Sequence, residues 1–132
     1  MCTLVNNLGV DASSVTVSYD FASSTPVVEE IDGVRAYYSL TGAANSWTLI
    51  PSFSTATPGR PTATLNVSWP SASALYIVWA DDNGSGSPDT AFQIDNFSAS
   101  ATPATQVPAS ITSQPQAVAV TLLATFCATA RN

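Results

Sequence analysis

The chain has 132 residues, 9 acidic side chains against three Arg (Arg35, Arg60, Arg131), no Lys and no His, for a net charge of -6. That length fits one domain with a workable core. The negative charge repels phosphate backbones and excludes nucleic acid as a partner. The lack of His excludes Ser-His-Asp and Cys-His catalysis and histidine-bound zinc.

Hydrophobic residues make up 45% of the chain and charged ones only 9%, with 9 Pro and 6 Gly. Abundant Thr and Val with Pro and Gly punctuation is the composition of an all-β protein. In chain order, "SSVTVSYDF" (13–21) alternates, placing Val15, Val17, Tyr19 and Phe21 on one face. "PVVEEI" follows. Asp32-Gly33 then turns the chain into "DGVRAYYSL" (32–40), with Val34, Ala36, Tyr38 and Leu40 inward. "TGAANSWTLI" gives a turn and a short strand around Trp47 and Leu49. "PTATLNVSW" (61–69) sets Ala63, Leu65, Val67 and Trp69 inward. "ALYIVWA" (74–80) is apolar on both faces and reads as a central, doubly covered strand. "TAFQIDNFSAS" (90–100) completes the set. Residues 101–115, "ATPATQVPASITSQP", have linker composition, and "QAVAVTLLATFCATARN" (116–132) is again strand-like. The expected fold is an antiparallel, jelly-roll-like β-sandwich.

No run approaches the roughly 18 to 20 apolar residues of a membrane span. "MCTLVNNLGV" has neither the basic start nor the apolar core of a signal peptide, although the composition is that of an extracellular protein. Cys2 and Cys127 are too far apart for a CxxC motif; they either pair or remain thiols.

"VRAYYSLTGAANSWTLI" and "LYIVWADDNGSGSPDTAFQIDNFSAS" together resemble a jelly-roll module of large secreted or surface proteins of environmental bacteria. Its pattern is a YSLDG-like turn, a W-T strand, an L-x-x-R-W-x-D-D strand end and a closing aIDdFsv strand. The resemblance spans roughly residues 8–100, with Val78 where Arg is common and Asn96 where Asp is common. The chain is shorter at the front than such modules, which leaves room for a missing leading strand. "PASITSQPQAVAVTLLATFCATA" is similar to the opening of a bacterial immunoglobulin-like repeat and stops before its core Trp. The resemblance implies an accessory module (1–100), a linker (101–115) and a partial immunoglobulin-like segment (116–132). It also implies an extracellular or cell-surface location.

Three functional readings follow. Asp81-x-Asn83-x-Ser85-Gly86-x-x-Asp89 matches the first half of a calcium loop, in which alternate side chains face one hard cation. Position 12 is Phe92 rather than Glu, so another strand must complete a Ca2+ site, and Asp95, Asp32, Glu29 and Glu30 are the available carboxylates. The same residues equally make an ordinary polar hairpin. Carboxylate chemistry is the second reading: Glu29, Glu30 and Asp32 could serve a metal-dependent hydrolase acting on a phosphoester, carboxylic ester or glycoside, or form a solvated edge. The third is a binding module for carbohydrate or cell-surface ligands. Tyr37 and Tyr76 lie opposite the inward positions and are its expected exposed pair, whereas Trp69 and Trp79 alternate with core residues. The apolar tail presents unpaired backbone edges and is expected either to cover an edge of its own sandwich or to exchange with a second chain, forming a homodimer.

Overall fold

A computed structural model describes residues 1–24, 33–81 and 90–105. Within them the chain forms two antiparallel sheets packed face to face, an all-β sandwich. The strands are β1 (Cys2–Val5), β2 (Ala12–Ser23), β3 (Arg35–Ser39), β4 (Thr48–Leu49), β5 (Thr62–Leu65), β6 (Ala74–Ala80) and β7 (Phe92–Pro103), with one short 3₁₀ turn at Pro51–Phe53. One sheet has the order β1-β6-β3-β4 and the other β5-β2-β7. Of the described connections only β3–β4 stays within a sheet; the rest cross from one sheet to the other. Among the described residues no helix is long and apolar enough to cross a membrane.

The alternation of β2 is the organising element. Val15, Val17, Tyr19 and Phe21 are all buried, as the period-two pattern requires. Facing them from the other sheet are Ala36, Leu75 and Ile77, with Ile50 and Phe53 closing the core beside the short 3₁₀ turn. Tyr19 is the hub. Its ring makes edge contacts with Phe53 (4.8 Å), Trp79 (5.5 Å) and Phe21 (6.4 Å), and Trp79 in turn meets Phe97. Burying each such side chain is worth about 1.5–3 kcal/mol.

The inward set of 61–69 is as expected, although the continuous strand covers only its first half. Ala63 and Leu65 lie on β5, while Trp69 joins Ala12 through an isolated bridge and sends its indole N–H to the Ser73 carbonyl at 3.1 Å.

Three expectations need correction. Leu40 is exposed rather than inward, because β3 ends at Ser39. The buried Ser39 hydroxyl accepts the amides of Thr41 (3.1 Å) and Gly42 (2.9 Å) and turns the chain. The strand β6 is central, between β1 and β3, yet it is not equally covered: Leu75 and Ile77 are fully buried, whereas Tyr76 and Val78 are half-buried. Finally, β7 continues through Ala101–Pro103, three residues into the linker-like composition. As an edge strand it tolerates a Pro at its end. Residues 116–132 lie outside the described residues.

One turn is fixed by backbone geometry. Gly33 has φ +73°, and a Cβ there would run into the Thr55 carbonyl, to which Val34 N–H donates at 3.2 Å. Only glycine suits both constraints.

Candidate functional site

The tyrosines chosen from the sequence meet on the outer face of the four-stranded sheet. Register decides this. Tyr37 on β3 stands opposite Val78 on β6 and Leu49 on β4, while Tyr76 on β6 stands opposite Ser39 on β3 and Thr3 on β1. Directly paired residues share a face, so Tyr37 and Tyr76 are diagonal neighbours on adjacent strands, roughly 7–8 Å apart. Around them the same face carries Leu49, 43% exposed, and Arg35 opposite Ala80.

Both tyrosines are half-buried rather than freely exposed. The cause at Tyr76 is the turn after β3: Gly42, at φ +69°, lies so close that a Cβ would stand 3.4 Å from the ring carbons. The turn itself is held by a Ser39–Ser46 hydroxyl contact of 2.6 Å and by Ser46 donating to the Ala43 carbonyl at 2.7 Å. On its other side opens a shallow cavity of about 420 Å³, lined by Tyr38, Ser46, Thr48, Val67 and Ser68 among others. The turn therefore props an aromatic ring on one side and borders a mainly apolar hollow, edged by hydroxyl-bearing residues, on the other.

The described acidic residues are dispersed by comparison. Asn83, Ser85 and Asp89 of the candidate calcium loop, and Glu29, Glu30 and Asp32 of the candidate carboxylate cluster, lie outside the described residues. Of the remaining two, Asp81 is exposed just past the end of β6, in the four-stranded sheet. Asp95 belongs to β7, on the outer face of the three-stranded sheet, opposite Asp20. Among the described residues no three Cys, Asp or Glu side chains converge as a metal site.

Asp95 owes its placement to a feature that alternation does not reveal. Between the pairs Ser18↔Ser98 and Asp20↔Asp95, β7 spends one residue more than β2, and Asn96 takes a positive φ of 49°. This bulge breaks the period, so Phe97 turns inward to Trp79 although simple alternation puts it on the side of Asp95. Asn96 tolerates the left-handed backbone and uses its side chain, donating to Asp20 Oδ2 at 2.7 Å, while its own N–H donates to Asp95 Oδ1 at 2.7 Å.

Asp20 is the residue that reasoning from sequence passed over. Its Oδ1 takes a 2.6 Å ion pair from Arg60, and its carboxyl is held below the usual range by the Asn96 amide first and the Arg60 guanidinium second. Ser18 and Ser98 complete this surface network, hydroxyl to hydroxyl at 2.8 Å. A cation placed between Asp20 and Asp95 would have to displace Arg60. The signal available in the sequence was slight: Asp20 is the outward position of an otherwise Ser/Thr face.

Two other polar groups stand out among the described residues. The Tyr19 hydroxyl and the Trp79 indole N–H are both buried without a hydrogen bond of good geometry. Burial pushes the Tyr19 phenol up, and the nearby Trp79 N–H only partly offsets it.

Cys2 is a free thiol on β1, its pKa raised by burial and eased by the neighbouring amino terminus. Cys127, its possible partner, lies outside the described residues. Compared with models of protein families, with curated proteins and with solved structures, the chain finds no match.

Proposed function

We propose that the domain is a non-catalytic binding module, taking carbohydrate on the outer face of its four-stranded sheet. The observation that carries this is the register that sets Tyr37 and Tyr76 as diagonal neighbours on one side of adjacent strands. A sugar ring offers an apolar C–H face bordered by hydroxyls. Tyrosine is suited to that chemistry, having a flat apolar ring and a hydroxyl at its tip. Two rings on rigid strands lose little entropy when a ligand lands on them, which a pair of loop residues could not match. The resemblance to modules of secreted bacterial proteins agrees with this reading and with an extracellular or surface setting.

The test is binding to a panel of soluble polysaccharides, read as retardation in affinity gels. Retardation is expected to survive Tyr37→Phe and Tyr76→Phe, which keep the stacking ring, and to weaken roughly tenfold with each Ala, about 1.4 kcal/mol. Equal retardation of the double Ala variant and the unmodified chain would refute the assignment.

Calcium is a separate component of the same proposal, supported by the spacing Asp81-x-Asn83-x-Ser85-Gly86 alone. Thermal unfolding with excess calcium and with excess chelator decides it. An ion bound only by the folded chain, at a hundred times its dissociation constant, adds about 2.7 kcal/mol. Coincident curves would leave 81–89 as a polar hairpin.

A further inference from the structure

The two outer faces of the sandwich differ in kind. On β2 the outward Thr16 and Ser18 alternate with buried Val15, Val17 and Tyr19, and their hydroxyls meet those of Thr64 (3.1 Å) and Ser98 (2.8 Å) on neighbouring strands. That is the polar exterior expected of an antiparallel sheet with one face in water. The four-stranded sheet departs from it. Beyond the two tyrosines its outer face carries Leu49 on β4, 43% exposed, and Val5 on β1, 51% exposed. Single exposed apolar residues are ordinary, so what matters is how these four are aligned.

Register aligns them. Leu49 stands directly opposite Tyr37. Tyr76 is two residues along β6 from Val78, the partner of Tyr37, and Ala74, the partner of Val5, is two residues further in the same direction. Leu49, Tyr37, Tyr76 and Val5 therefore fall on one slanting line that crosses all four strands, one residue per strand. With about 5 Å for the direct pair and roughly 7–8 Å for each diagonal, the line is roughly 20 Å long. None of its four side chains is charged.

A line one side chain wide is a poor seat for a second copy of the chain, since a stable dimer buries about 800 Å² per partner. It suits a slender, extended ligand. In a sugar polymer the apolar C–H faces recur at every unit along one axis, whereas a disaccharide reaches only the tyrosines. We propose that the ligand of this face is an uncharged, extended polysaccharide chain laid along the line from Leu49 to Val5. The tyrosines hold its central units and the two aliphatic side chains its flanking ones. This rests on the carbohydrate reading of the tyrosine pair and adds to it the length, path and charge of the ligand.

The experiment is calorimetric titration of the full chain with cello-, xylo- and N-acetylated chito-oligosaccharides, each from the disaccharide to the hexasaccharide. In the series that binds, affinity is expected to rise about tenfold with length, as burying two further apolar side chains requires, and then to level off. Leu49→Thr and Val5→Thr, which keep strand propensity, should each weaken the hexasaccharide several-fold and leave the disaccharide unchanged. Equal affinity for disaccharide and hexasaccharide, or a hexasaccharide indifferent to both replacements, would overturn the line while leaving the tyrosine pair standing as a sugar site. Tighter retention of polygalacturonate than of any uncharged chain would overturn it too, as would sedimentation showing a dimer that Leu49→Thr separates. No binding at any length in all three series also counts against the line; retardation by another polysaccharide, lost in the double Ala variant, would then still support the tyrosine pair.

Discussion

The Tyr19 hydroxyl sits among the aromatic rings beside the Trp79 N–H, without a hydrogen bond of good geometry. A buried, unsatisfied hydroxyl costs free energy that its removal returns, so Tyr19→Phe should leave stability unchanged or raise it by up to about 1–3 kcal/mol in chemical denaturation. A loss of more than about 1 kcal/mol would show that the hydroxyl has a partner after all. Asp20 gives the opposite case, a polar group whose partners matter. Its carboxyl is held below the ordinary range by Asn96 and Arg60, so the stabilisation is present above the ordinary carboxylate pKa and is lost as pH falls through the lowered value. Melting temperatures measured from pH 7 down to pH 2 should therefore fall less steeply in Asp20→Asn than in the unmodified chain. The difference should shrink in high salt, because the pair is solvent-exposed. Neither residue's state could be read from sequence. Alternation placed Tyr19 inward correctly, but whether its hydroxyl meets a partner depends on strands of the other sheet.

At the scale of elements, legibility followed regularity. The strand β2 was read nearly whole, because every second residue between Val15 and Phe21 is large and apolar. The strand β7 was read only in part. Its bulge at Asn96 shifts Phe97 to the core and leaves Asp95 outside, and a single-residue insertion leaves no mark in a period-two pattern. Restoring a conventional backbone there is costly: Asn96→Val removes both the tolerance of positive φ and the amide bonded to Asp20, and should destabilise the chain measurably. The short 3₁₀ turn at Pro51–Phe53 was also unforeseen, although it supplies one of the largest buried side chains. Phe53 is fully buried against Tyr19, so Phe53→Ala should cost about 3–5 kcal/mol. Against a total stability of roughly 5–15 kcal/mol, that variant should unfold at much lower denaturant if it accumulates at all.

For the molecule as a whole, the sandwich was legible because composition and alternation point the same way, and two sheets are the means of burying such strands. The candidate site was legible in half. Tyr37 and Tyr76 could be assigned to outward positions from their own strands, but only the β3–β6 register puts them side by side, and register depends on long-range pairing. Their partial cover by the Gly42 turn was not legible, since it arises from the Ser39 hydroxyl ending β3. The central claim is that this face, rather than the acidic residues, is where a ligand lands. Its most direct test is a titration of isotopically labelled chain with the polysaccharide best retained in affinity gels, following backbone amide shifts. The account predicts shifts centred on Tyr37, Tyr76, Leu49 and Gly42, and their disappearance in the Tyr37→Ala, Tyr76→Ala double variant. Shifts centred instead on Asp20, Asp81 or Asp95, with that outer face unmoved, would contradict it.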